Sequence, residues 1–237
     1  MSKLNTFKSS DKGEQTREHV RETALRLFRE KGFDATTMRD IAAAADLSLG
    51  AAYYYYSSKE AIVAAYYDYV QAEHLRRAGE VYAKTQNLKE RLAGAIHTKL
   101  DILEGDRKLL AALFRYGGDP DHPLNWFGPA TKQQRALSML VFAQAVQHEK
   151  FPADIKKHSP LLLWAMHMGI LLYFLYDNSP GQKKTRRLAD GAIGLAVGSK
   201  RLLTLPLLRQ LRKKVFSLLE EAGLLPEFEM PAEGVTA

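Results

Sequence analysis

Helical spacing of apolar residues runs along nearly the whole chain of 237 residues and constrains its fold more than any other feature. In the first such segment, Val20, Ala24, Leu27 and Phe28 recur at intervals that place them on one face of a helix over about residues 16–31. Strand signals are almost absent, because alternating Val/Ile/Thr runs are missing. The sequence therefore predicts an all-α protein.

The same pattern predicts the remaining organisation of the chain. Residues 1–13 are expected to form a flexible N-terminal arm, and residues 226–237, with two prolines and several acidic groups, a flexible tail. A smaller N-terminal domain is expected over 14–60 and a larger helical domain over 61–225. Further helices are predicted over about 37–44, 49–54, from 57 onward, 88–104, 107–116, 130–149, 159–177, 184–201 and 206–222, with one irregular stretch over 117–123.

Composition excludes several chemistries. The chain has no cysteine, so it has no disulfide, thiolate zinc site, cysteine nucleophile or iron–sulfur cluster, and a reducing, cytoplasmic location is expected. No cofactor is predicted. The loop Asp119-Pro120-Asp121-His122 carries oxygen and imidazole groups, but four adjacent residues without a distant partner favour a solvated loop over a metal site.

The net charge of +7 is unevenly distributed. Residues 182–214 contain ten Lys/Arg and one acidic residue, whereas residues 1–60 contain ten against nine. Global basicity therefore says little about where nucleic acid would bind. The basic segment 182–214 is expected to be a solvated face, with a secondary contact to DNA or acidic lipid as the alternative.

Two short helices around a tight corner form the feature that points to function. Thr37 and Asp40 have the capping-box spacing that opens a helix, and Ser48 is placed to cap the next one, over about residues 48–54. Asp46, between them, tolerates the left-handed backbone that a corner needs. This spacing is typical of a helix-turn-helix unit, whose second helix enters the major groove of DNA.

Side chains on this unit suggest how DNA would be contacted. Leu49, Gly50 and Ala51 at the start of the second helix are small or apolar, which favours close backbone approach and thymine-methyl contacts. Arg39 is the best candidate for a bidentate guanine contact. In the run of four tyrosines that follows, Tyr53 and Tyr56 are expected to pack inward and Tyr54 and Tyr55 to face out toward phosphates, joined by the charge of Lys59.

This stretch closely resembles the N-terminal domain of the tetracycline-repressor (TetR) family over about residues 15–65. The shared pattern comprises Gly32-Phe33, Thr36 to Ala42, Leu47 to Tyr56, and Lys59-Glu60. The resemblance implies a homodimeric transcriptional regulator, usually a repressor that a small ligand releases from a palindromic operator. Matched position by position, it places the DNA contacts on Thr37, Arg39, Ser48, Leu49, Gly50, Ala51, Tyr53, Tyr54, Tyr55 and Lys59.

Three positions depart from the family pattern. Asp46 stands where glycine or asparagine is usual, Ala52 where leucine is common, and Tyr56 where phenylalanine is common. The Asp46 carboxylate lies near the expected backbone-contact surface and is expected to weaken DNA binding modestly.

The helices over about 159–177 and 184–201 match, in order and position, the pair that forms the family's dimer bundle. The first contains the most apolar run of the chain, Leu161–Tyr176, whose sixteen residues are fewer than a membrane span needs, so burial in protein is favoured. An apolar effector pocket is expected among the middle helices, with His97 or His167 as a polar group. Its candidate lining is Leu103, Leu113, Phe114, Tyr116, Trp126, Phe127, Met139, Phe142, Trp164, His167 and Met168, each of which can equally be core.

Two other classes of function compete with this interpretation. A helical enzyme using His97, His167 or the Asp121-His122 loop lacks any nucleophile–base spacing, phosphate loop or H-E-x-x-H pair. An architectural DNA binder without an effector, acting through the basic C-terminal helices, is the principal alternative to a repressor.

Overall fold

The structure is a computed structural model that describes the backbone of residues 3–223 and the side chains of residues 12–223. Within that range the chain forms α-helices joined by short 3₁₀ turns and contains no strand, which confirms the all-α class. The helices are α1 (Lys3–Lys31), α2 (Met38–Ala44), α3 (Leu49–Tyr55), α4 (Lys59–Tyr82), α5 (Leu88–Leu103), α6 (Arg107–Gly117), α7 (Lys132–Val146), α8 (Ala153–Tyr176), α9 (Lys183–Leu203) and α10 (Arg209–Glu221).

The N-terminal boundary differs from the expectation. Helix α1 begins at Lys3, so residues 3–13 are helical rather than a flexible arm. This stretch contains no proline, and its one glycine, Gly13, costs a helix only about 1 kcal/mol relative to alanine. The tail expected over residues 226–237 lies outside the described residues.

Helix α8 begins earlier than the sequence suggested, because Pro160 lies inside it rather than at its start. Proline removes one hydrogen bond from a helix interior, but Ile155, His158 and Pro160 itself are buried, and that packing offsets the loss. The helix has 24 residues, so the expectation that it is too short for a membrane was wrong: by length and composition it could cross one. Its packing against α5 and α9 is also what the core helix of a soluble protein shows.

The chain divides into two compact units, and the division differs from the expected break at residues 60/61. The first unit contains the chain up to Tyr69 together with Asp106–Lys132. The second contains Val70–Gly105 and the chain from Gln133 onward. Helix α6 and the irregular segment after it therefore belong with the helix-turn-helix helices, because α6 packs against α1.

The core of the first unit contains the predicted face of α1. Val20, Ala24, Leu27 and Phe28 are all buried, and the Phe28 ring meets Phe33 edge-to-face at 5.1 Å between centroids. The buried residues of α2 and α3 pack onto this face, since both short helices contact α1. The helix-turn-helix unit therefore rests on α1 as a platform.

The second unit is organised around α5, α8 and α9, which pack against one another. Helix α5 buries a continuous face that includes Leu92, Ile96, Leu100 and Leu103. Arg91 is also buried on α5, where its guanidinium donates to the carbonyls of Tyr82, Thr85, Gln144 and Ala145. A buried charge is tolerated there because backbone acceptors satisfy it.

Candidate functional site

Helix α2 starts with the capping box that the sequence predicted. The Asp40 amide donates to Thr37 Oγ1 at 3.1 Å, and the Thr37 amide donates to Asp40 Oδ2 at 2.8 Å. The hydrogen bonds from Thr37 lower the pKa of Asp40, so the carboxylate is charged at the start of the helix. The box fixes the direction in which the chain enters α2, and it leaves Arg39, the second residue of the helix, exposed.

The corner between α2 and α3 is a Schellman motif. The Leu47 amide donates to the Ala42 carbonyl at 2.9 Å, and the Asp46 amide donates to the Ala43 carbonyl at 3.3 Å. Asp46 has φ 55°, in the left-handed region where glycine is usual, which confirms the expected conformation of the corner. The motif ends α2 abruptly, so the chain can start a second helix within four residues.

Helix α3 begins as predicted and presents its first residues outward. The Ala51 amide donates to Ser48 Oγ at 3.1 Å, which makes Ser48 the N-cap. Leu49 and Gly50 are exposed, and Ala51 is half-buried. Ala52 is fully buried against the platform. Alanine in place of the family's usual leucine at position 52 therefore changes only the buried side of α3 and leaves its outer face unchanged.

The four tyrosines after Ala52 do not divide as expected. Tyr56 is buried and Tyr54 is 83% exposed, as predicted, and Tyr55 is half-buried. Tyr53, however, is 49% exposed, so the expectation that it packs inward was wrong. Tyr56 has φ −141° and ψ 120°, outside the helix, so helical spacing does not place Tyr53 and Tyr56 on the same side. The outer surface of α3 is consequently more aromatic than predicted.

Lys59, the first residue of α4, is partly engaged within the unit. Its ammonium donates to the Phe33 carbonyl at 2.6 Å and lies 4.5 Å from the centre of the Phe33 ring. The cap of α4 is Ser58, whose Oγ accepts from the Ala61 amide, so the helix expected from residue 57 onward begins at Lys59. An ammonium has three donors, and this contact leaves part of its capacity for a phosphate.

The turn between α1 and α2 is tied to α6 by a polar contact that the sequence did not suggest. Asp34 accepts a hydrogen bond from the Tyr116 hydroxyl and one from Arg115 Nη2 at 3.0 Å. The hydrogen bond from Tyr116, and to a smaller extent the one from Arg115, lowers the pKa of the Asp34 carboxyl. Asp34 lies some eighty positions before Arg115 and Tyr116, so no local sequence pattern could predict this contact.

Five of the expected effector-lining residues lie in this first unit. Leu113 is buried, and the Phe114 and Trp126 rings meet edge-to-face at 4.6 Å. Gly117 faces the Trp126 indole so closely that a Cβ there would overlap the ring. Phe127 is 61% exposed. The remaining residues of the expected lining, Leu103, Met139, Phe142, Trp164, His167 and Met168, lie in the second unit.

His167 is the most unusual of the second group. It is fully buried, and neither ring nitrogen has a hydrogen-bond partner within residues 12–223. Its ring lies 5.4 Å from the Phe142 ring and stacks on His74 at 6.1 Å, measured between centroids. Burial, and then the nearby charge of Lys99, lower the pKa of His167 to about 3.

Lys99, like His74, is a buried polar residue of this region that sequence reasoning missed. It is buried, its ammonium donates to Gln71 Oε1 at 3.0 Å, and burial lowers its pKa to about 7. The signal was present, because Lys99 lies four residues after Ala95 and four before Leu103 on the apolar face of α5. His97, the other expected polar group, instead points to α9, where its Nε2 lies 2.8 Å from Asp190 Oδ1.

The basic segment 182–214 is only partly a free surface. Arg212 is buried, donates to Asp154 Oδ2 at 2.7 Å, and also donates to the Leu203 carbonyl. Lys200 pairs with Glu149, and Arg186 with Asp101. Lys183, Lys184 and Arg187 are exposed.

Among the described residues, no group of three or more potential metal ligands is found.

A platform helix, two short capped helices around a Schellman corner, and an exposed start of the second helix define a helix-turn-helix DNA-binding protein. Comparison with known families agrees. Residues 20–66 match the model for bacterial regulatory proteins of the tetR family, and residues 91–215 match a tetracyclin repressor-like C-terminal domain. The chain therefore belongs to the TetR family of transcriptional regulators, and no enzymatic family is indicated.

Sequence relatives are regulators. The chain is similar to the HTH-type transcriptional repressor KstR2 of Mycobacterium tuberculosis, with 28% identity over 148 residues covering 56% of this chain and 68% of that protein. It is also 36% identical over 80 residues to the uncharacterized HTH-type transcriptional regulator YerO of Bacillus subtilis. That match covers 34% of this chain and a quarter (25%) of YerO.

Solved structures share the fold. A putative TetR-family regulator from Mesorhizobium loti superposes with a TM-score of 0.58 at 19% identity, covering 78% of this chain and 97% of that one. A TetR regulator from Nitrosomonas europaea gives a TM-score of 0.56 at 18% identity, with coverage of 76% and 97%. These likenesses show that the chain shares the fold of these proteins.

Proposed function

We propose that this protein is a ligand-responsive repressor that binds a palindromic operator as a homodimer in the cytoplasm and is released by a small apolar effector. The observation that carries the proposal is the outward presentation of Leu49 and Gly50 at the start of α3, beside the exposed Arg39. Without long side chains at its start, α3 can approach the floor of the major groove closely, while Arg39 supplies a guanine contact.

Phosphate contacts are assigned to the polar groups around α3. Tyr54 is well exposed, Tyr53 is half-exposed, and Thr37 and Ser48 lie at the starts of their helices. Hydroxyl groups of this kind position a protein on the duplex and do not read its sequence. Specificity would then come from Arg39 and from the shape of the surface made by Leu49, Gly50 and Ala51.

Dimerisation is assigned to α8 and α9. Helix α8 carries exposed apolar side chains at Leu162, Leu172 and Tyr176, and α9 carries Leu188 and Leu195. A soluble protein rarely leaves that much apolar surface on two neighbouring helices without a partner. A second copy of the chain would cover it and would supply the second recognition helix that a palindrome requires.

The proposal is tested by selecting bound DNA from a random pool and measuring affinity for the selected sequence. Arg39→Ala should weaken binding by about 1–3 kcal/mol and relax specificity at one position of each half-site. Arg26→Ala, which removes an exposed arginine from α1, is the matched control and should bind the selected DNA like the parent. Equal affinity of Arg39→Ala and the parent would refute the contact assignment.

An architectural DNA binder is the alternative, and the second unit disfavours it, because Arg186, Lys200 and Arg212 are already paired with acidic side chains. Replacing the exposed Lys183, Lys184 and Arg187 by glutamine distinguishes the two. An architectural binder would lose most of its salt-dependent affinity, whereas a repressor reading DNA through α3 would keep its affinity for the selected sequence.

A further inference from the structure

The buried polar groups of the second unit form a cluster that consists of Lys99, His74, His167 and Gln71. Both imidazoles and the ammonium are almost completely removed from solvent, with exposures of 0% for His74, 0% for His167 and 4% for Lys99. Burying such groups is costly unless partners satisfy them. A cluster of this kind in the middle of an apolar unit therefore calls for an explanation.

Its hydrogen-bonding capacity is largely unused. Within residues 12–223, both nitrogens of His167 and Nδ1 of His74 have no partner. His74 Nε2 lies 2.7 Å from the Ala95 carbonyl. The ammonium of Lys99 can donate three hydrogen bonds, and Gln71 Oε1 accepts one. The Ala95 carbonyl makes Nε2 the protonated nitrogen of His74, so its free Nδ1 is an acceptor, and a neutral His167 has one donor and one acceptor nitrogen. The free donors of the cluster are therefore the remaining N–H groups of Lys99 and one N–H of His167.

The charges around the cluster are also one-sided. The groups that lower the pKa of His74 are, after burial, Lys99 and His167, and the charged group acting on His167 is Lys99. No acidic side chain contributes to the pKa shift of Lys99, His74 or His167 in the described part of the chain. The ammonium of Lys99 and the two neutral imidazoles therefore share a region to which no carboxylate of the described residues contributes.

We propose that this cluster is the binding site for the acidic group of the effector, and that the effector is an apolar carboxylic acid. The inference rests on the proposed function, in which a small molecule binds this chain. A carboxylate accepts up to four hydrogen bonds and would use the free donors of Lys99 and the N–H of His167. Phe142, whose ring lies beside His167, and Trp164, which is buried three residues earlier on α8, provide aromatic surface for the apolar body.

An uncharged effector of the same shape would fit this cluster less well. An amide offers one carbonyl oxygen and no negative charge, so it would compensate the charge of the Lys99 ammonium less than a carboxylate does. A carboxylate, by contrast, would hold Lys99 in its protonated form, so that binding would be accompanied by proton uptake. Charge-assisted hydrogen bonds of this kind are about twice as strong as neutral ones.

The test is titration calorimetry of the full chain, without DNA, against decanoate and 2-naphthoate and against the corresponding amides. We expect the acids to bind at least about tenfold more tightly than the amides, and Lys99→Met and His167→Phe to lose about tenfold or more in acid affinity. Lys89→Met on the exposed side of α5 and His158→Phe on α8 are the matched controls and should bind like the parent.

Proton uptake provides a second readout that a purely structural role would not produce. Calorimetry in buffers with different ionisation enthalpies should show uptake of about half a proton per bound acid at pH 7, rising toward about one at pH 8, since burial lowers the pKa of Lys99 to about 7. Lys99→Met should abolish that uptake, even if the variant still binds weakly.

Equal binding of acids and amides, unchanged acid affinity in Lys99→Met, or no binding of any acid at millimolar concentration would each overturn the assignment. The proposed function is tested by a different experiment, the binding of selected operator DNA by the parent chain, so the two proposals can fail independently. Lys99→Met and His167→Phe should bind the selected DNA as the parent does in the absence of acid, while acid should no longer release them.

Discussion

The Tyr66 hydroxyl donates a buried hydrogen bond of 2.6 Å to Asp106 Oδ2. The other oxygen of the same carboxylate accepts from Arg29 Nε at 2.5 Å. One side chain, at the residue just before α6, therefore joins α1 and α4. Burial, and then the Asp106 hydrogen bond, raise the pKa of Tyr66, so the phenol stays protonated and remains a donor.

Removing the Tyr66 hydroxyl should destabilise the protein measurably. Because the acceptor is charged and buried, Tyr66→Phe is expected to lower the free energy of unfolding by about 1.5–3 kcal/mol. Urea unfolding measures the change. Tyr54→Phe, at a well exposed position, is the control and should change stability by less than about 0.5 kcal/mol. If the two variants lost equal stability, the hydrogen bond would contribute nothing beyond an ordinary surface hydroxyl.

The corner at Asp46 gives a second prediction, because its left-handed backbone penalises β-branched residues. Asp46→Val should lower stability by about 1–2 kcal/mol, whereas Asp46→Asn, which tolerates that conformation, should be nearly neutral. Thermal unfolding of both variants tests this. A stable Asp46→Val variant would mean that the corner does not hold this conformation in solution.

The same position should affect DNA binding through its charge. Asp46→Asn removes a carboxylate from the expected phosphate-facing surface, so affinity for the selected operator should rise a few-fold at low salt and less at high salt. Fluorescence anisotropy at two salt concentrations measures the difference. Asp121→Asn, an exposed carboxylate in the segment after α6, should leave the affinity unchanged. Equal effects of the two substitutions would contradict a location of Asp46 near the duplex.

The buried Lys99 should make the stability of the protein depend on pH. Burial lowers its pKa from 10.5 to about 7, so between pH 7 and 10.5 the unfolded chain binds more protons than the folded one. Stability should therefore rise with pH above 7, by at most about 1.4 kcal/mol per pH unit. The pKa values of His74 and His167 are also lowered by burial, but they affect stability in a different pH range. Below about pH 6.5 the unfolded chain binds protons that the folded chain does not, so stability should fall as the pH falls.

Urea unfolding between pH 7 and 9.5 separates these contributions, since that range stops before the buried tyrosines, whose pKa is raised, begin to matter. Lys99→Met should flatten the rise in this range and leave the loss of stability below pH 6.5 intact. A parent protein whose stability does not change from pH 7 to 9.5 would show that Lys99 is more hydrated than its burial indicates.

Contacts between near neighbours in the chain were predictable. The box of Thr37 and Asp40, the cap at Ser48 and the left-handed Asp46 all follow from side-chain chemistry within four residues, and the structure has each of them. The apolar face of α1 followed from helical periodicity in the same way. These features were enough to recognise the helix-turn-helix unit.

Features that depend on distant partners were not predictable. The hydrogen bond from Tyr116 to Asp34 and the burial of Lys99 depend on which helices pack together, and no local pattern encodes that. Tyr53 was placed inward because helical spacing was extended to Tyr56, which lies outside the helix. The start of α8 was missed because tertiary packing overrode the local preference of Pro160.

The central claim is that α3 reads the major groove twice per assembly, and interference footprinting on the selected DNA tests it most directly. Methylation of guanine N7, which lies in the major groove, should block binding at two patches whose centres are separated by about 34–36 Å, or one helical turn, or a multiple of it. Arg39→Ala should lose interference at one guanine in each patch. A single patch, or interference confined to minor-groove positions, would contradict the account.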